Sequence, residues 1–480
     1  MSTLKNQTIK GLFWSSVERF SVQGVQFLIG IVLARILLPS DYGLIGMIAI
    51  FLSLSQALID SGFSQALIQK KETSEKDYNT VFHFNFIIAV VVYGLLFILA
   101  EPIAVFYKEP VLVNLVRVIG LNIIFSSLSI VQIAKLSKSL DFKLQTKATL
   151  TSVIISGGVG IYLAFSNWGV WALVVQGLLR SSINTVLLFI LTRWRPKFIF
   201  SKESFKTLFS FGSKLLLSGL LNAIFNNIYL IIIGKFYNVK ELGYYTRANQ
   251  FQQLPSETIT VILQRVTFPV LSSIQNEQKK LENYYKKFIR FSAFIIFPIM
   301  IGLVVIASPL IKVVLTDKWV SAVPFLQLLC FVGILYPIQV INLNVLKVKG
   351  RSDLFLKLEI YKKILILLAI VTTFSFGIKA LIIGQIICSF ISLYINTYYT
   401  KKLINYSFFN QIKDLLPILL ASIFMGIIIF GLIFYIHSNS LKLISSLLVG
   451  PISYYLISYL FKFEEINELN KLFTKKKLKI

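Results

Sequence analysis

The sequence predicts an all-α, polytopic membrane protein with 14 transmembrane helices. Of its 480 residues 56% are hydrophobic and only 14% charged, and the mean hydropathy is +0.76. The apolar residues gather into runs of about twenty, the length that crosses a hydrocarbon core of roughly 30 Å at about 1.5 Å per residue. Soluble domains do not carry such a composition. The net charge of +27 would point to nucleic acid in a soluble chain. Here Lys and Arg fall in short gaps between apolar runs, as membrane orientation requires, and no nucleic-acid partner is expected.

Bounded by charges, Pro, Gly or Asn, the runs cover about 11–34, 42–68, 79–100, 111–134, 148–166, 170–192, 207–233, 248–271, 288–307, 322–346, 358–376, 378–398, 414–436 and 441–461. No small-residue cleavage site follows the first run, so it is expected to be a retained helix. Charge tests the count. With the N-terminus inside, the segments placed on the cytoplasmic side hold 34 of the 48 Lys and Arg, and the opposite side holds 9. That asymmetry orients a membrane protein and predicts two cytoplasmic termini, in agreement with an even helix count.

The other five basic residues lie inside helices: Arg19, Arg117, Arg180, Lys214 and Arg265. Each costs about 2.5 to 3.5 kcal/mol at a helix centre, so each needs a reason. Arg117, about a turn and a half from the outer face, is explained as well by snorkelling or an ion pair as by function. Arg19, Lys214 and Arg265 stand roughly 10 to 12 Å from the inner ends of their helices, and polar stripes accompany them. Helix 1 carries Arg19, Gln23 and Gln26 on one face. Helix 2 carries Ser53, Gln56, Asp60 and Ser64, and helix 7 carries Lys214, Ser218, Asn222 and Asn226 at a strict spacing of four. Lipid cannot solvate such stripes, so a polar lining is expected.

A shift of 200 residues lays the second half over the first. The turn Pro39 to Leu44 meets Val239 to Tyr244, with Gly43 over Gly243, and the helix 2 stripe lands on Gln253, Ser256, Thr260 and Gln264 of helix 8. Six helices per repeat give parallel repeats, and helices 1, 2, 7 and 8 would line a central cleft. The predicted division is 1–200 (helices 1–6), 201–405 (helices 7–12) and 406–480 (helices 13, 14 and a tail). No nucleotide-binding loop, zinc motif, nucleophile elbow or Asp-rich diphosphate motif occurs, and no outer loop exceeds about 15 residues. The only two histidines, His83 and His437, are far apart, and the two cysteines, Cys330 and Cys388, lie in apolar runs. No metal, disulfide or cofactor site and no enzyme activity is expected.

The segments LARILLPSDYGLIGM (Leu33 to Met47) and DSGFSQALIQKK (Asp60 to Lys71) resemble the polysaccharide transport branch of the multidrug/oligosaccharidyl-lipid/polysaccharide (MOP) flippase superfamily, in particular Wzx-like exporters of the colanic-acid and O-antigen type. The resemblance implies two pseudo-symmetric six-helix lobes in a V around a cationic cavity, with two further C-terminal helices, in a bacterial inner membrane. It implies passage of an undecaprenyl-diphosphate-linked oligosaccharide to the outer leaflet for surface polysaccharide synthesis, among membrane lipids and beside the pathway's polymerase and glycosyltransferases. By position, Arg19 and Arg265 match cavity arginines of the lipid II flippases. The residues themselves suit this cargo. Arg19, Lys214 and Arg265 would bind the diphosphate; Gln23, Gln26, Gln56, Ser218, Asn222, Asn226 and Gln253 would line the cavity and meet the sugars. Asp60 and Glu257 are candidates for coupling to a proton or sodium gradient, with pairing to Arg19 the plainer role for Asp60. The alternatives are a multidrug antiporter of the same superfamily, which would favour an acidic cavity, and a membrane polymerase or glycosyltransferase, which would need a long outer loop.

Overall fold

The computed structural model describes residues 2–60, 62–70 and 72–466, without the side chains of residues 2–13, 15, 16, 211 and 214. Among them every regular element is helical: α1 (Ser2–Ile36), α2 (Pro39–Asp60), α3 (Phe63–Gln69), α4 (Glu75–Tyr107), α5 (Leu112–Ile119), α6 (Leu121–Lys138), α7 (Phe142–Phe165), α8 (Val170–Thr192), α9 (Lys202–Phe236), α10 (Val239–Ser273), α11 (Gln278–Leu315), α12 (Val323–Val348), α13 (Ser352–Thr373), α14 (Ile378–Ile404), α15 (Phe408–Tyr435) and α16 (Asn439–Leu460). This is what lipid dictates for a spanning chain, since only a helix or a closed barrel satisfies its backbone groups internally.

Two expected continuous helices are each broken in two. The run 42–68 divides into α2 and α3, where Gly62 takes a left-handed φ of 70° and lies so close to α9 that a Cβ would stand 2.7 Å from the Gly212 carbonyl oxygen. The run 111–134 divides at Gly120 into α5 and α6. Twelve segments are long and apolar enough to cross a membrane. The two expected spans outside that set are α10 and α13. Between Arg247 and Arg265 α10 includes Gln250, Gln252, Gln253, Glu257 and Gln264, and α13 opens with Asp353, Lys357, Glu359, Lys362 and Lys363.

Polar side chains set the helix ends. Ser74 and Asp77 form a reciprocal cap on α4: the Asp77 amide donates to Ser74 Oγ (3.3 Å) and the Ser74 amide to Asp77 Oδ2 (2.8 Å). Asp141 and Ser201 cap α7 and α9 by accepting from Leu144 and Ser204 amides at 3.3 and 3.2 Å.

The chain divides into two compact units, Met1–Gly243 and Tyr244–Ile480. This boundary follows packing, whereas the repeat boundary after residue 200 follows the sequence register; the two differ because α9 packs on α2. Small residues make that seam. A Cβ on Gly43 would overlap the Val239 carbonyl oxygen, and a Cβ on Gly243 would overlap that of Pro39. Pro39 and Val239, like Gly43 and Gly243, are related by the 200-residue shift, so the turn match read in the sequence is a reciprocal contact in space. Further along, a Cβ on Gly234 would lie 3.1 Å from the Met47 side chain, the Asn227 amide donates to Ser53 Oγ at 3.3 Å, and Gly219 faces Ala57. Small residues at helix contacts let backbones approach where lipid supplies no hydrophobic drive.

The connection leading into α9 is fastened to α4. Trp194 Nε1 donates to Glu75 Oε2 (2.9 Å), the Lys197 amide to Asn79 Oδ1 (2.6 Å) and the Ser201 amide to Thr80 Oγ1 (3.0 Å). His83 joins them, its Nε2 lying 2.8 Å from the Lys197 carbonyl oxygen. Residues 75, 79, 80 and 83 share one face of a helix.

In the second unit α11 packs on α12, α15 and α16, and α12 on α14. Tyr285 donates to Asn342 Oδ1 in a buried cluster with Gln411, whose Nε2 donates to the same oxygen at 3.2 Å. Arg290 holds the buried Glu465 carboxylate through Nε and Nη2 at 2.6 and 3.2 Å, and Lys286 pairs with Asp414 at 2.9 Å. The chain beyond α16 is thereby tied to α11.

Two outcomes are expected. Gly43→Ala and Gly243→Ala should each destabilise the purified protein by about 1 to 3 kcal/mol, read as a lower thermal unfolding midpoint, whereas Gly24→Ala, whose Cβ would meet nothing within 4 Å, should not. Arg290→Ala strands a buried carboxylate and should cost about 3 kcal/mol, read in the same assay.

Candidate functional site

The first unit holds most of the polar residues singled out by sequence. Gln56 on α2 and Ser218, Asn222 and Asn226 on α9 are exposed on the protein surface at membrane depth. Ser53, of the same stripe, differs: it receives the Asn227 bond and belongs to the α2–α9 seam. Asp60 closes that stripe at the end of α2, and Ser64 does not continue it, because it lies on α3. Arg19 and Gln23 are half-buried. The pair expected between Arg19 and Asp60 does not form: Arg19 Nε and Asp60 Oδ1 are both buried without a hydrogen-bond partner. The Lys214 side chain lies outside the described residues.

The two remaining intramembrane arginines of this unit part ways. Arg117 pairs with Glu101 at 3.2 Å and stacks over the Phe97 ring at 4.5 Å, which accounts for its charge structurally. Arg180 meets Gln26 of α1. With the amide oriented to satisfy both groups, the Gln26 oxygen accepts from Arg180 Nη2 at 2.6 Å and from Nη1. Gln26 is thus a guanidinium partner first.

In the second unit Gln253, Glu257 and Arg265 are exposed along α10, while Ser256, Thr260 and Thr267 are buried. Gln252 donates to Ser256 Oγ at 2.9 Å, and Thr267 accepts from Asn344 at 3.2 Å. The sequence shift that set Gln56 over Ser256 and Asp60 over Thr260 therefore joins residues of unlike surroundings, although its turn residues match in space. This unit also carries a groove of about 600 Å³ between α11, α12, α14 and α15, lined only by apolar residues such as Phe297, Phe331, Leu416 and Phe430. It offers nothing to a charged headgroup.

Two residues were missed in the sequence. Asn227 stands about 100° around the helix from Asn226 and was masked by the spacing-of-four stripe. Glu18, next to Arg19, receives the Thr149 hydroxyl of α7 at 3.5 Å; its position inside the first apolar run was the available signal.

The fold defines the class of protein. Over 95% of this chain and 100% of the other, it matches the lipid II flippase MurJ in an inward closed conformation, with a TM-score of 0.78 at 17% identity: a multi-pass helical membrane protein that shares the fold of that structure. The family follows from sequence. The model of the family described as polysaccharide biosynthesis protein matches residues 32–324, and the chain belongs to that family, as the segments around Leu33 to Lys71 led one to expect. It is 30% identical to the teichuronic acid biosynthesis protein TuaB of Bacillus subtilis over 356 residues, 74% of each chain. It is 26% identical to the lipopolysaccharide biosynthesis protein WzxC of Escherichia coli over 444 residues, 89% of each.

The α2–α9 contact yields a further outcome. Asn227→Ala removes one hydrogen bond to Ser53 and should cost about 1 kcal/mol, whereas Asn226→Ala, at an exposed position, should leave the unfolding midpoint unchanged.

Proposed function

We propose that the protein is a flippase, carrying undecaprenyl-diphosphate-linked oligosaccharide units from the cytoplasmic to the outer leaflet of a bacterial inner membrane for surface polysaccharide synthesis. The observation that carries this reading is that Gln56, Ser218, Asn222 and Asn226 lie exposed on the protein surface at membrane depth. Side chains of this kind are expensive against acyl chains and mark a watery path for a polar cargo. Membership of a polysaccharide biosynthesis family supports a glycan as that cargo. In this reading Arg19, Lys214 and Arg265 bind the diphosphate through charge-assisted hydrogen bonds. Gln23, Gln56, Ser218, Asn222, Asn226 and Gln253 meet the sugars.

The reading has 14 spans, with α10 and α13 crossing alongside the twelve more apolar segments, and both termini in the cytoplasm by the charge asymmetry. The repeats 1–200 and 201–405 work as lobes in a V, and 406–480 adds two helices and a tail. Transport is by alternating access. Asp60 and Glu257 serve ion coupling; Asp60, whose Oδ1 is unpartnered, is the sharper candidate. The pathway's polymerase and glycosyltransferases act on the same cargo before and after it crosses.

The test is surface polysaccharide export by Arg19→Ala, Lys214→Ala and Arg265→Ala at matched protein levels. Each should lower export at least tenfold. Full export by all three removes the diphosphate assignment.

A further inference from the structure

Arg180 has no part in the reading above. It sits ten residues beyond Val170, the outer end of its span in the proposed orientation, and its partner Gln26 sits ten residues before Ile36, the outer end of α1. Both are thus about 15 Å along their helices, near the bilayer centre. A guanidinium there costs about 2.5 to 3.5 kcal/mol on insertion scales, and among the described residues no carboxylate pairs with it. Among the described residues its one hydrogen-bond partner is the neutral Gln26 amide, and the residue is exposed on the protein surface. On the same face of α8, one turn on, the Asn184 Oδ1 is buried without a partner.

We propose that Arg180 is a mid-depth station for the phosphate groups of the cargo, and that Gln26 is its resting partner. The inference rests on the lipid-linked-glycan reading above and adds a residue to it. A guanidinium has five N–H donors in a planar fork, and a single amide oxygen occupies only one edge of it. A phosphate brings an opposite charge and a bidentate geometry, neither of which the neutral amide oxygen offers. Exchange of Gln26 for phosphate is therefore favourable when cargo arrives, and return to Gln26 keeps the guanidinium bonded when it leaves. An acidic partner would hold the arginine too firmly for such exchange. Arg19 lies seven residues before Gln26, about 10 Å nearer the inner face. The two arginines make successive steps along one path.

The test uses the full chain in lipid nanodiscs, with undecaprenyl diphosphate as probe and undecaprenol as its neutral control. The wild type should prefer the diphosphate, and Arg180→Ala should lose at least tenfold of that preference. Arg180→Lys should retain part of it. Gln26→Ala should raise the preference, because it removes the amide that phosphate must displace from the guanidinium. A wild-type preference left intact in Arg180→Ala overturns the station and leaves the proposed function standing. Equal losses in Gln26→Ala and Arg180→Ala also overturn it, since the pair is then a packing element. No preference in the wild type defeats the lipid-linked-glycan reading itself. Should Arg180→Ala fail to accumulate, Arg180→Gln retains a hydrogen bond to Gln26 and is read the same way.

Discussion

A polar side chain at bilayer depth must find a partner, water or a ligand, because acyl chains offer none of these. This constraint sorts the interior polar residues of the chain into two populations. Ser53 with Asn227, Asn344 with Thr267, Arg117 with Glu101 and the Tyr285–Asn342–Gln411 cluster satisfy one another and hold helices together. Gln56, Ser218 and Asn226 are exposed on the surface of α2 and α9, and Arg180 is exposed beside its Gln26 partner. The first group explains the fold. The second needs a polar path, and the functional reading grows from it.

The packing that leaves this second group uncovered is itself made of small residues. Gly43, Gly62, Gly219, Gly234 and Gly243 bring α2 and α3 against α9 and the start of α10, while the anchored segment Trp194 to Ser201 holds the beginning of α9 on α4. Helix α9 is thereby fixed along one side, and its stripe of Ser218, Asn222 and Asn226 is presented on another. Close backbone contact on one face and a row of amides on the next is a division of labour within a single helix. It also shows why the packing boundary at Gly243 falls one helix later than the sequence repeat.

The spans were legible because the cost of a charge in lipid writes itself into composition, and the turn repeat was legible because glycine cannot be replaced where a carbonyl oxygen occupies the place of a Cβ. The breaks at Gly62 and at Gly120 were not, since hydropathy runs straight through both. Pairings were least visible. Arg180 and Gln26 are separated by most of the first unit's length, and no periodicity links them. Asp60 and Arg19 were joined by depth alone, and depth does not bring two side chains into contact. On α10 the sequence shift treated Ser256 and Thr260 as lining residues, but which side of a long polar helix is buried depends on its neighbours: Asn344 on α12 donates to Thr267, and Gln252 donates to Ser256.

The central claim is that water reaches the polar face of α2 and α9 within the membrane. The direct measurement is labelling by a small, charged, membrane-impermeant thiol reagent of single cysteines at positions 56, 222 and 226. The background should lack Cys330 and Cys388, both buried. Labelling at all three, and none at Leu95 or Ile98 on the apolar, exposed face of α4, is the predicted result. The contrary result is that positions 56, 222 and 226 behave like Leu95 and Ile98, reacting only with a lipid-soluble reagent.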